Sequence, residues 1–110
     1  FVLGGSQGSQ TLNHALKQAL LCDKDLGSIL NIIHQIGNPD QLEAWRSWYK
    51  EHTIRAYVFS YEPTCVPYYK RANLVICRSG AGTLFELEGL QKKYITIPLE
   101  TKSTHHQVTN

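Results

Sequence analysis

Two glycine-rich segments carry the residues best suited to chemistry: Gly4-Gly5-Ser6-Gln7-Gly8-Ser9, and Arg78-Ser79-Gly80-Ala81-Gly82-Thr83-Leu84-Phe85-Glu86. Each runs from an apolar stretch into a helical pattern. Glycine lets the backbone approach a ligand closely, and the exposed amides at a helix start favour an anion such as phosphate. Ser6 adds a hydroxyl donor to the first loop. In the second, Gly80 and Gly82 free the backbone, the amides from Ala81 to Thr83 form another anion-binding terminus, and Glu86 lies about one turn into the helix. A diphosphate and a ribose fit these groups together. Each group also has a plainer reading: a tight turn for the first loop, a macrodipole carboxylate within the first turn for Glu86, and a surface ion pair for Arg78.

Neither loop has the G-x-G-x-x-G spacing, and no Lys-Ser/Thr follows Gly8 as a Walker A loop requires. The second strand ends in His34-Gln35, where a dinucleotide-binding domain places an acidic residue for the ribose. NAD binding is therefore disfavoured, and no cofactor is expected. Asp23-Lys24-Asp25 has the D-x-D form of a metal-ligand pair, but it falls between a helix and Gly27-Ser28 and reads as a solvated turn. The adjacent His105 and His106 do not converge on one ion and have no third ligand in view. No metal is expected.

The elements that must position these loops follow from periodicity. Leu12, Ala15, Leu16, Ala19 and Leu20 recur at helical spacing. Ile29 to Ile33, ending in His34-Gln35-Ile36-Gly37, has the pattern of a central strand. Asn38-Pro39 supplies an N-cap and a first-turn proline for a helix with Leu42, Trp45, Trp48 and Tyr49 on one side. Ile54 to Phe59 predicts a strand, Thr64 to Ala72 a short helix or turn-rich segment, Leu74 to Cys77 a strand, Thr83 to Leu90 a helix, and Tyr94 to Ile97 a strand stopped by Pro98. The fold class is α/β: a Rossmann-like parallel sheet with helices on both faces. Ligands in such sheets sit beyond the carboxyl ends of the strands, where both glycine loops fall.

With 110 residues the chain builds one domain or part of one, and its net charge of +2 is too small to call for a nucleic-acid partner. Cys22, Cys65 and Cys77 are odd in number and lack C-x-x-C spacing, which disfavours a disulfide framework or a zinc knuckle and fits a reducing cytosol. No secretory signal and no membrane-spanning apolar run is present in the sequence. The chain opens inside an apolar strand at Phe1-Val2-Leu3 and closes at Val108-Thr109-Asn110 without a cap, so residues 1–110 are expected to be part of a longer domain.

In combination, GGSQG after the first strand, HQIG after the second, ICRSGAGTLFEL after a later one and Pro98 followed by His106-Gln107 and Asn110 resemble the C-terminal domain of the MurG-like glycosyltransferases. The resemblance spans essentially the whole chain, and RSGAGT-x-x-E is its most specific part. It implies a two-domain GT-B enzyme that transfers N-acetylglucosamine from UDP-N-acetylglucosamine to undecaprenyl-linked muramyl-pentapeptide in peptidoglycan synthesis, acting peripherally at the cytoplasmic face of the membrane. Residues 1–110 would be a partial nucleotide-sugar-binding domain, inactive alone, with the catalytic base in the N-terminal domain.

Carried over by position, Gly5, Ser6, Gln7 and Gly8 face the phosphates; Tyr61 and the backbone of Glu62 surround the uracil; Ser79, Gly80, Ala81, Gly82 and Thr83 line the diphosphate; Glu86 receives the ribose hydroxyls; and His106 and Gln107 contact the sugar. Arg78 matches a characteristic arginine that touches the donor or supports the loop, and Asn13 and Asn110 match positions that pack helices. The chain departs from the family pattern at Ile36, which replaces a small hydroxyl residue, at Glu62-Pro63-Thr64-Cys65, and after Gly89-Leu90, where Gln91-Lys92-Lys93 stands. Two other readings stay open: a different UDP-sugar GT-B transferase with a lipid acceptor, and a non-catalytic nucleotide-binding module.

Overall fold

The computed structural model describes residues 1–4 and 9–97. Five parallel strands form one sheet in the order β3-β2-β1-β4-β5, comprising β1 (Val2–Leu3), β2 (Asn31–Gln35), β3 (Arg55–Phe59), β4 (Val75–Cys77) and β5 (Tyr94–Thr96). Their register is continuous across the middle of the sheet, with Val2 opposite both His34 and Ile76. Helices α1 (Gln10–Cys22), α2 (Lys24–Ile29), α3 (Leu42–Glu51), α4 (Val66–Arg71) and α5 (Ala81–Gly89) connect the strands.

Strand alternation produces two cores, one on each face of the sheet. Phe1 and Leu3 point to one face and pack with Phe59, Tyr69 of α4, Val75, Cys77 and Leu87 of α5. Ile32, Ile36 and Val58 point to the other and pack with Leu20 of α1 and with Trp45 and Tyr49 of α3. Period-two side chains on central strands, each covered by helices, require this two-sided burial. The α/β class is therefore observed: a parallel sheet covered on both faces. The order of connection reverses between β1 and β4, which opens a crevice at their carboxyl ends.

Three local expectations need correction. Residues read as a solvated turn and a strand start form α2: the Asp23 side chain accepts from the Leu26 amide at 3.2 Å, capping a helix that carries Ile29, which is 76% exposed. Gly27 lets this helix press against the start of β3, because a Cβ there would lie 3.1 Å from Ile54 Cγ1. The Asn38-Pro39 signal starts a 3₁₀ turn, Pro39–Gln41, with the Asn38 side chain accepting from the Asp40 amide at 2.9 Å, and α3 proper begins at Leu42. Finally, α5 starts at Ala81, two residues before the expected Thr83.

The departure after Gly89-Leu90 has a defined geometry. Gln91 adopts φ 54°. Its amide reaches Glu88 O at 3.0 Å while the Lys92 amide reaches Leu87 O at 2.9 Å. These two bonds form a Schellman ending with glutamine where glycine is usual. Lys92 then anchors to the chain entering β4 through Nζ donated to Ala72 O at 2.7 Å.

Candidate functional site

A cleft of about 390 Å³ opens at the carboxyl ends of β1 and β2. Leu3 and Gln35 form its floor; Tyr61, Glu62, Pro63, Thr64 and Cys65 form one wall with Val66 and Tyr69 of α4; Thr83 and Glu86 of α5 form the other. Of the residues singled out in the sequence, the structure brings together Tyr61, Glu62, Thr83 and Glu86. Ser79, Gly80 and Gly82 are exposed at the start of α5, beside the cleft. Arg78 is half-buried and does not line it. Gly5, Ser6, Gln7, Gly8, His106, Gln107 and Asn110 lie outside the described residues.

The start of α5 leaves open space beside its first amides. Gly80 is the N-cap in extended conformation, with no side-chain cap, and the first intrahelical bond runs from the Leu84 amide to Gly80 O at 3.0 Å. The amides of Ala81, Gly82 and Thr83 precede that ladder and have no acceptor within the helix. A Cβ at Gly80 or at Gly82 would meet nothing within 4 Å, so the space above both is open.

Thr83 and Glu86 are three residues apart and therefore share a helix face, the one turned to the cleft. Glu86 is the sixth residue of α5, and no acidic residue occupies the first turn. This corrects the macrodipole reading, because that interaction fades beyond the first turn. Among the described residues the Glu86 carboxylate has no hydrogen-bond partner, and the cleft lining contains no cation. An unpaired carboxylate beside unpaired amides suits a ligand that is anionic at one end and hydroxylated at the other.

Glu62 behaves differently. Its carboxylate accepts a 2.7 Å hydrogen bond from the Tyr68 hydroxyl, which leaves the backbone of the 61–62 loop to meet a ligand. That bond is the main reason the Tyr68 hydroxyl is held well above its ordinary range.

Sequence reasoning missed Gln35, Cys65 and Tyr69. Tyr69 is buried and lines the cleft with Thr83, and burial, reinforced by nearby Cys65 and Glu86, pushes its hydroxyl pKa up to about 12. Burial, with Glu62 and Glu86 nearby, also raises the Cys65 thiol, so it remains protonated and a poor nucleophile. The spacing of Cys65, Tyr69 and Ala72 at i, i+4 and i+7 was the available signal for this inward face of α4.

Asn13 is buried as expected for a helix-packing residue. Its Nδ2 donates to Ile36 O at 3.0 Å, and its Oδ1 lies 2.7 Å from His34 Nε2. Ile36, where the family pattern has a small hydroxyl residue, turns its side chain into the core.

The family described as Glycosyltransferase family 28 C-terminal domain matches residues 1–110. A protein of Myxococcus xanthus named UDP-N-acetylglucosamine--N-acetylmuramyl-(pentapeptide) pyrophosphoryl-undecaprenol N-acetylglucosamine transferase is 38% identical over 109 residues, covering 99% of this chain and 28% of the relative. A protein of the same name from Trichlorobacter lovleyi is 36% identical over 112 residues, covering 100% and 29%. The crystal structure of Acinetobacter baumannii MurG superposes with a TM-score of 0.77 at 32% identity, over 97% of this chain and 30% of that one. The chain thus spans less than a third of the length of the proteins it matches. With the parallel sheet, the crevice at its switch point and the glycine-flanked start of α5 all accounted for, the chain belongs to the glycosyltransferase family 28 C-terminal domain family.

Proposed function

We propose that residues 1–110 are part of the donor-binding domain of a UDP-N-acetylglucosaminyltransferase that converts undecaprenyl-pyrophosphoryl-muramyl-pentapeptide into its N-acetylglucosaminylated product. The observation that carries this reading is the placing of the unpaired α5 amides and the Glu86 carboxylate on one rim of the cleft. The amides of Ala81 to Thr83 take the diphosphate, Glu86 takes the ribose diol, and Tyr61 with the Glu62 backbone borders the uracil. Gly5, Ser6, Gln7 and Gly8 complete the phosphate side, and His106 and Gln107 contact the sugar. Names of relatives that use this donor and acceptor support the assignment.

The chemistry follows from where charge develops. When the acceptor hydroxyl attacks the anomeric carbon, the carbon–oxygen bond to UDP breaks and negative charge grows on the diphosphate. Fixed amide dipoles at a helix start stabilise that charge without reorganising. The acceptor proton requires a base. Glu62 is engaged by Tyr68 and Glu86 is assigned to the ribose; the base and the lipid acceptor site are proposed to lie in the N-terminal domain that the family resemblance implies. Among the described residues no helix is long and apolar enough to cross a membrane, and the proposed location is peripheral, on the cytoplasmic face.

Calorimetric titration of the complete protein with UDP, followed by competition against UDP-N-acetylglucosamine, tests the donor assignment. Radiolabelled sugar transfer to the lipid acceptor tests the reaction. Binding of neither nucleotide sinks the proposal.

A further inference from the structure

Beneath the helices of one face lies a polar triad that the proposed chemistry does not use. His34 is fully buried in β2, between Asn13 of α1 and Tyr49 of α3. Its Nε2 is 2.7 Å from Asn13 Oδ1 and its Nδ1 is 2.8 Å from the Tyr49 hydroxyl, while the edge-on Trp45 ring closes the site at 4.8 Å between centroids. The hydrogen-bond directions are determined. Ile36 O only accepts, so the Asn13 amide nitrogen faces it and the amide oxygen faces His34. His34 must therefore donate from Nε2. A neutral imidazole has one N–H, so Nδ1 accepts and Tyr49 donates.

The position of the triad gives it a consequence for the cleft. Asn13 sits one turn inside α1, whose N-cap Ser9 directly follows the first glycine loop, and the same amide grips Ile36 O, next to Gln35 on the cleft floor. One side chain thus ties the helix after β1 to the loop after β2.

We propose that His34 is a positioning residue for the donor: held as the Nε2–H tautomer by Asn13 and accepting from Tyr49 at Nδ1, it orients Asn13, and Asn13 fixes the start of α1 relative to the Gln35 edge of the cleft. Burial also drives the His34 pKa down to about 3, which keeps the ring neutral as this arrangement requires. The inference rests on the donor-binding reading of the cleft.

The test uses the complete enzyme with Tyr49→Phe, which keeps the ring contacts to Trp45 and Trp48 and removes only the hydroxyl. A second variant, Asn13→Asp, keeps an acceptor for His34 but removes the donor to Ile36 O. Loss of one net hydrogen bond predicts a rise of about three- to tenfold in UDP Kd and donor KM in Tyr49→Phe, and at least as large a rise in Asn13→Asp, where a carboxylate oxygen also faces Ile36 O. The acceptor KM should hold. Nitrogen-15 spectra should show the Nε2–H tautomer for His34 in the wild type and in Tyr49→Phe, where Asn13 still accepts from Nε2. An Nδ1–H tautomer in the wild type overturns the inference, as does an unaltered donor KM in either folded variant, even with a lowered melting temperature. Failure of the wild type to bind UDP would instead strike the donor assignment itself.

Discussion

The Tyr68 hydroxyl donates to Glu62 Oε2 at 2.7 Å, and this bond holds a cleft-wall carboxylate by its outer end. The proposed contact of the 61–62 loop with uracil is then through its backbone. Glu62→Gln, whose amide oxygen still accepts from Tyr68, should change UDP affinity less than about threefold, within the span of a weak hydrogen bond. Calorimetry on the complete protein checks this. A loss of tenfold or more would put the carboxylate itself on the ligand.

Gly82 offers a cleaner probe of the diphosphate position. Because a Cβ there meets nothing within 4 Å, Gly82→Val should fold normally, and it replaces the least favourable ordinary helix residue. The melting temperature should be unchanged or slightly higher. Affinity for UDP should fall by more than about tenfold if the diphosphate occupies the open space, since the branched side chain fills the approach that glycine leaves clear. Equal affinity in the folded variant would remove the α5 start from the site.

His34 supplies a pH prediction. Burial, the larger cause, lowers its folded pKa to about 3 from an ordinary 6.5. The unfolded chain therefore binds a proton below pH 6.5 that the folded chain refuses. This contribution to stability is complete above pH 6.5 and is lost as pH falls towards 3. Between pH 6.5 and 5 the loss approaches about 2 kcal/mol, at roughly 1.4 kcal/mol per unit. Urea midpoints of the complete protein at the two pH values measure it. In His34→Gln, which cannot titrate, that part of the slope should vanish whatever the variant's absolute stability.

Much of this architecture was legible because one physical signal dominated each stretch. β-branched pairs marked β2 at Ile32-Ile33 and β4 at Val75-Ile76, and helical spacing of Leu12, Leu16 and Leu20 marked α1. α2 was hidden because Asp23-Lys24-Asp25 and Gly27-Ser28 are turn-forming types, whereas Asp23 in fact caps a helix and Gly27 lets that helix lie close against Ile54. In the site, Thr83 and Glu86 were found from local sequence because they lie on the helix that the glycines start. Tyr69 and Gln35 were missed because they reach the cleft from elements distant in sequence, which only the strand order brings together. The tautomer of His34 was equally out of reach: it depends on Asn13, 21 positions away, and on the Ile36 carbonyl that orients it.

Glu86 decides between ribose recognition and a purely local role for the most exposed carboxylate on the cleft rim. Its place as the sixth residue of α5 removes the helix-dipole explanation, and its lack of a hydrogen-bond partner among the described residues removes a structural one. Glu86→Gln should therefore leave the melting temperature of the complete protein nearly unchanged. If both ribose hydroxyls donate to the carboxylate, UDP affinity should fall by about one to two decades, the equivalent of roughly 1.5 to 3 kcal/mol for charged hydrogen bonds. The penalty should shrink for 2′-deoxy-UDP, which lacks one of the donors. Calorimetric titration of both proteins with both nucleotides gives the four affinities needed. An equal loss for the two nucleotides would keep Glu86 beside the ligand but refute the 2′-hydroxyl contact. No loss for either would sink the ribose assignment.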